Sequence, residues 1–368
     1  MQHVRAALAA RFFGEKSMIV VRIAAGLSLV SALAGCGSQA AEHALPTLKL
    51  DPARVSVVGL SSGAAMAQQA HFAFSDHLIG AGLIAGPPYG CAEGDLGTAL
   101  GRCMKGAPDA PDVVRLAERA RELAEAGKIA PLSGLDGDHV WVMHGAADQT
   151  VHELVTRASY AIYQALEREV AQPPVTGMDL VWDAKRSIGH AWPTRAQGES
   201  CAVTAAPFIA ACDFDASHAM IKSLYGAPAH EVGEAAAGTL HTFDQNAFRV
   251  DGDDAFLGDE GFLYVPPQCT EGTRCGAVFA FHGCEQNAPT LGQQFAQEIG
   301  LNRWADAYDL VVIYPQTRAS FVPLNPKGCW DWWGYSGADY ATREGKQLAW
   351  LANLGRALGV PLMDAQKP

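Results

Sequence analysis

The sequence predicts an α/β fold built on a mostly parallel central sheet, and three observations predict it. Short apolar and β-branched runs alternate with helix-period stretches, the runs end in turns rich in Gly, His and Asp, and the composition is that of a chain with a core: 368 residues, 49% hydrophobic and 18% charged. That length allows one large domain or two ordinary ones. The formal charge of −12 argues against a nucleic-acid partner and against a strongly anionic polymer as substrate.

The N-terminus reads as an export leader. Arg22 precedes an uncharged segment over 23–33, the length of a signal-peptide apolar region and too short to span a bilayer, which closes on Leu33-Ala34-Gly35-Cys36. That ending resembles a bacterial lipobox, which implies lipidation of Cys36, membrane attachment through that anchor alone, and Met18 as an alternative start. An ordinary secretory cleavage nearby, with Cys36 incidental, stays open. The expected location is therefore outer-membrane or cell-surface lipoprotein, or secreted or periplasmic protein. Removing 1–36 takes out Arg5, Arg11, Lys16 and Arg22 against Glu15, so the mature chain is more acidic still.

Of nine cysteines, setting Cys36 aside leaves eight, an even number in an exported chain, which predicts disulfides. Neither Cys-x-x-Cys nor His-Glu-x-x-His occurs, so no metal is expected. Proximity pairs Cys91 with Cys103, Cys201 with Cys212 and Cys269 with Cys275, leaving Cys284 for Cys329.

The run Val55-Ser56-Val57-Val58 predicts a strand, Gly59-Leu60-Ser61-Ser62-Gly63 a sharp turn, and 64–74 a helix. Gly-x-Ser-x-Gly is a weak signal until it falls between strand and helix, where it describes a nucleophile elbow whose flanking glycines avoid collision. Ser61 is then the candidate nucleophile, and the Ser62 N–H, at the start of the helix, a candidate oxyanion donor. The strand 139–143 stops at His144-Gly145-Ala146-Ala147-Asp148, and the run 178–182 leads through Gly189 to His190. A lone loop aspartate reads as well as a cap for the helix expected over 151–165, and a lone loop histidine as a solvated one. Their order changes this: Ser61, Asp148 and His190, each beyond its own strand, follow the Ser, Asp, His order of α/β-hydrolases.

Too few residues precede Ser61 for the front half of that fold, and its parts occur at the other end. Strands are expected over 261–266, 277–281 and 310–314, with helices over 300–308 and 340–358. Joining the last helix to the strand at Val55 restores the usual order, so the sequence predicts a circularly permuted α/β-hydrolase. His282-Gly283-Cys284 then supplies the Cys284 N–H as second oxyanion donor. The expected organisation is a leader over 1–36, a linker over 37–50, a single catalytic domain over 51–360 and a tail over 361–368. Around Gly328-Cys329-Trp330-Asp331-Trp332-Trp333-Gly334-Tyr335 the aromatics cluster without strand or helix periodicity, which makes Trp330, Trp332 and Trp333 candidates for binding an uncharged substrate; burial in the core stays open for Trp330 and Trp333.

Together with Ala85-Gly86-Pro87-Pro88-Tyr89-Gly90-Cys91 and His190-Ala191-Trp192-Pro193, these motifs resemble the fungal-type extracellular polyhydroxybutyrate depolymerases, in family order from about 44 to 358. The resemblance implies a permuted α/β-hydrolase with an open crevice, Ser61 as nucleophile, Asp148 as acid, His190 as base, oxyanion N–H groups from Ser62 and Cys284, and Trp332 beside a neutral polyester or oligoester. No cofactor is implied. A charged helical stretch over 113–127 and a short loop between Tyr314 and Cys329 depart from the pattern, and both are candidates for bordering the crevice. Two other readings stay open: a carboxylesterase for feruloyl or acetyl esters, and a non-catalytic polymer-binding surface lipoprotein.

Overall fold

The computed structural model describes residues 43–167, 176–250, 252–270 and 272–364; the leader and Cys36 lie outside them. Eleven strands are described: β1 (Leu50–Leu60), β2 (Gly80–Ile84), β3 (His139–Met143), β4 (Asp179–Asp183), β5 (Trp192–Thr194), β6 (Glu199–Ser200), β7 (Ile209–Ala211), β8 (Thr239–Asp244), β9 (Glu260–Val265), β10 (Cys275–Phe281) and β11 (Leu310–Tyr314). Eight form one sheet in the order β4-β3-β2-β1-β10-β11-β9-β8. It is parallel from β4 to β11 and antiparallel at the β9 and β8 edge.

Counted from β8 to the C-terminal helix and on into β1, this order reads 1-2-4-3-5-6-7-8 with the elbow strand fifth. The α/β-hydrolase fold is thus circularly permuted, as the sequence predicts. β5, β7 and β6 make a small separate sheet in the segment after His190, which the sequence reading does not contain.

Alternation along the central strands makes two cores. Val55 and Val57 of β1 and Ala277, Phe279 and Phe281 of β10 face one side, packed by helices α1 (Ser62–Ala73), α2 (Val113–Glu125), α3 (Glu153–Glu167) and α6 (Lys346–Ala357). Val58, Leu60, Val278 and Ala280 face the other, packed by α4 (Ala216–Tyr225) and α5 (Leu301–Tyr308). Every residue of α1 is buried, and its two glutamines and its histidine are hydrogen-bonded. Gln68 donates to the Ser159 carbonyl at 2.9 Å, and His71 lies 2.8 Å from both Tyr163 Oη and Asp138 Oδ2.

All four expected disulfides form: Cys91–Cys103, Cys201–Cys212, Cys269–Cys275 and Cys284–Cys329. Each stabilises by roughly 2–4 kcal/mol, chiefly by restricting the unfolded chain. The packed unit exceeds the expected 51–360 at both ends: Leu45 and Leu48 pack against the core, and Leu362, expected in a tail, is fully buried in it. Apolar side chains continue past the last helix, and burying them extends the domain.

Candidate active site

Parallel strands leave their carboxyl ends on one edge, and the candidate residues all follow such ends: Ser61 after β1, Asp148 after β3, His190 after β4 and His282 after β10. Ser61 turns at φ 59° and ψ −120°, a conformation costing a serine about 1–3 kcal/mol. It is pinned by its N–H, which donates to the Ile84 carbonyl at 2.8 Å, and by its carbonyl, which accepts from the Ala65 N–H at 3.0 Å. The turn closes because Gly59 and Gly63 lack side chains. A Cβ on Gly59 would stand 2.2 Å from the Gly63 oxygen, and one on Gly63 2.1 Å from the Phe281 oxygen.

His190 Nδ1 lies 2.7 Å from Asp148 Oδ2, and both side chains are buried. The other carboxylate oxygen accepts the N–H groups of Thr150 at 2.7 Å and Val151 at 3.0 Å. These belong to the aspartate's own loop, so Asp148 does not cap α3. Burial alone would raise its pKa. The His190 hydrogen bond and charge, with the Val151 and Thr150 N–H groups, outweigh that and hold the carboxyl below the ordinary aspartate range. An ionised carboxylate only accepts, so His190 donates from Nδ1 and Nε2 keeps the lone pair. The His190 N–H donates to Thr204 Oγ1 at 2.8 Å.

Ser61 and His190 line one cavity of about 630 Å³, and Ser62, Cys284, Trp332 and Trp333 line it too. The Ser62 and Cys284 N–H groups have no acceptor among the described residues. The first follows from its place in the opening turn of α1. The second is held by a frame: His282 Nδ1 donates to the Gly283 carbonyl at 2.7 Å, the Gly283 N–H donates to Gln286 Oε1 at 2.7 Å, and Gln286 Nε2 donates to the Pro207 carbonyl at 2.8 Å. The Gly283 carbonyl and the Cys284 N–H share one peptide group, so a bond to the former orients and polarises the latter. His282 Nε2 accepts the Thr317 N–H at 3.2 Å, and burial drives its pKa down to about 4. Sequence reasoning missed Gln286 and Thr204, whose roles depend on which loops meet.

The tryptophans divide. Trp332 and Trp333 stand at the cavity wall as a T-shaped pair with centroids 5.5 Å apart. Trp330, a substrate-binding candidate from the sequence, is fully buried and packs its ring 5.0 Å from Phe281 and 5.5 Å from His282. It supports the His282–Cys284 loop from behind, because its side chain points into the core. Among the described residues, the one carboxylate and one ammonium on the cavity wall, Glu285 and Lys327, bond to each other at 2.9 Å. The wall therefore suits a neutral ligand.

Comparison with known proteins fits this geometry. The polyhydroxybutyrate depolymerase of Talaromyces funiculosus is 31% identical over 327 residues, covering 85% of this chain and 91% of its own length. The chain belongs to the polyhydroxybutyrate depolymerase family. The profile described as Esterase PHB depolymerase matches residues 261–355. A poly(3-hydroxybutyrate) depolymerase of Delftia acidovorans is 34% identical over 330 residues, or 89% of this chain, which spans 64% of that relative's length. Among solved structures, a PHB depolymerase from Penicillium funiculosum superposes with a TM-score of 0.74 at 28% identity, covering 86% of this chain and 99% of that one. A serine-to-alanine PHB depolymerase complexed with an R3HB trimer gives a TM-score of 0.76 at 27% identity, with the same coverage.

From sequence, two segments depart from the pattern of the polyhydroxybutyrate depolymerases: the charged helical stretch over 113–127 and the short loop between Tyr314 and Cys329. Helix α2 packs on α3, and none of its residues lines the cavity. The loop after β11 does border it, through Leu324, Asn325, Pro326 and Lys327.

Proposed function

We propose that the protein is a serine esterase that hydrolyses poly(3-hydroxybutyrate) or its oligomers through an acyl-enzyme. The observation that carries this reading is the buried His190–Asp148 pair opening on the cavity that also holds the strained Ser61 and the Trp332–Trp333 wall. His190 Nε2 takes the Ser61 proton as Oγ attacks the ester carbonyl, and the oxyanion is held by the N–H groups of Ser62 and Cys284. Collapse expels the alcohol, which takes its proton from His190. Water, deprotonated in turn by His190, then attacks the acyl-enzyme and releases the hydroxy acid or shortened chain. Family membership and the trimer-bound relative support the substrate class. Asp148 holds the ring in the productive tautomer and stabilises the imidazolium as it forms.

Disulfides suit an oxidising compartment, and no helix among the described residues is long and apolar enough to cross a membrane. Export, with Cys36 as lipidated residue, is part of the proposal; metabolic labelling with a fatty-acid analogue tests the anchor. For the activity, the protein should clear a turbid poly(3-hydroxybutyrate) suspension with release of 3-hydroxybutyrate or oligomers. Ser61→Ala should lose that clearing by about four orders of magnitude or more. Clearing undiminished in that variant, or turnover of feruloyl or acetyl esters alone, would sink the proposal.

A further inference from the structure

The turn after β11 that presents the two cavity tryptophans is built around one buried acid. We infer that Asp331 is the positioning residue for the Trp332–Trp333 wall and thereby sets how far the enzyme prefers a multi-unit ester over a single one. The inference rests on the proposed esterase function and deepens it.

Asp331 is 1% exposed, and its carboxylate faces five donors. Oδ1 accepts the backbone N–H groups of Trp333 at 3.2 Å, Gly334 at 2.7 Å and Tyr335 at 3.0 Å. Oδ2 accepts the Ser336 N–H at 2.7 Å and its hydroxyl at 2.6 Å. Consecutive N–H groups that would otherwise pair in a helix or strand thus converge on one side chain. Among the described residues no Lys, Arg or His forms an ion pair with it, so these dipoles stand in for a counter-ion.

The backbone of the same residue ties the turn to the rest of the site. The Asp331 carbonyl accepts from Gln69 Nε2 at 2.9 Å, on the helix that begins next to Ser61, and the Asp331 N–H donates to Gln347 Oε1 at 2.9 Å on α6. One residue therefore fixes the turn's shape with its side chain and its place relative to the nucleophile with its peptide groups. The contacts described for Ser61, Asp148, His190 and the Gly283–Gln286 frame do not involve the Asp331 carboxylate, although Cys284–Cys329 and Trp330 join that frame to the residues just before it. Disturbing the carboxylate should fall mainly on contacts with the tryptophan part of the cavity wall, which a multi-unit ester covers more fully than a single one.

The test compares p-nitrophenyl butyrate, which has one ester, with a 3-hydroxybutyrate trimer, using the full-length protein. Asp331→Asn preserves volume but turns one acceptor into a donor that opposes the Ser336 or backbone N–H groups. KM for the trimer should rise about tenfold more than KM for the nitrophenyl ester, with kcat values falling far less. Combined with Trp332→Ala, Asp331→Asn should add little further loss on the trimer, because the carboxylate acts through that wall. Ser336→Ala removes one donor at little risk to folding; it should give the same pattern at roughly threefold, and decides the matter if Asp331→Asn does not fold. Equal losses on both substrates, or losses that multiply in the double variant, would overturn the inference. An unaltered enzyme that cleaves the nitrophenyl ester and spares the trimer overturns the polyester reading itself, before any variant is made.

Discussion

The elbow at Ser61 and the turn at Asp331 line the same cavity and are held in opposite ways. The elbow is a backbone object: a left-handed serine, two glycines that leave room for the crossing chain, and strand pairing beneath. The tryptophan turn is a side-chain object, in which a carboxylate gathers the N–H groups of a segment that has no strand or helix to use them. The first is rigid because alternatives collide. The second is rigid because alternatives leave a buried charge without donors. Reaction chemistry is thus fixed by sterics, and selectivity by electrostatics that one substitution can retune.

The most severe way to break this contrast is Gly63→Val. With the Phe281 oxygen 2.1 Å from the place of the new Cβ, the elbow cannot close, and neither soluble two-state unfolding nor esterase activity should survive. Circular dichroism melts beside a nitrophenyl ester assay check it; a well-folded, active variant would show that the elbow has slack. Next in size is Asp148→Asn, which keeps the shape and removes the charge. It should lower kcat by about four orders of magnitude through the wrong tautomer, leaving a folded protein. Its pH signature has a definite sign. The carboxyl pKa is depressed in the fold, so it contributes stability above the unfolded aspartate value that is lost as pH falls through the folded one; the variant should lack that acid-side decline.

The smallest effect sharpens the comparison where the two regions meet, at His282, whose ring packs on Trp330. Its folded pKa of about 4 lies below the ordinary histidine value, so the unfolded chain binds the proton first as pH falls. Stability should drop by roughly 3 kcal/mol between about pH 6.5 and 4 from this group, and level off below. Urea unfolding across that range measures it, and His282→Asn should flatten the slope.

The sequence reading recovers the elements whose signals are local. β11 is read to the residue because it is an uninterrupted apolar run, β3 because four apolar residues follow His139 and stop at His144-Gly145, and the elbow because strand, glycines and helix are contiguous. β8 is missed because an edge strand with half-exposed side chains shows no such run. The strands β5 to β7 are two or three residues long and exist by tertiary pairing alone. Helix α4 carries a local signal that the sequence reading does not contain: Asp215 caps it, accepting the His218 N–H at 2.9 Å, and Ala216, Met220, Ile221 and Leu224 fall on one face. At the site, chain order suffices to nominate Ser61, Asp148 and His190. Composition alone could not sort Trp330 from Trp332 and Trp333, since all three share one turn and only the direction of each ring separates core from cavity.

Permutation has a consequence for how the molecule matures. The serine strand leaves the ribosome early, yet its flanking strand β10 and the loop with the Cys284 N–H arrive near the end of synthesis. A partly made chain therefore carries a serine strand paired with β2 alone, without β10 on its other side and without the Cys284 N–H. A polypeptide that stops short of β10 should therefore be hydrolytically silent, and completion of its last quarter should arm it.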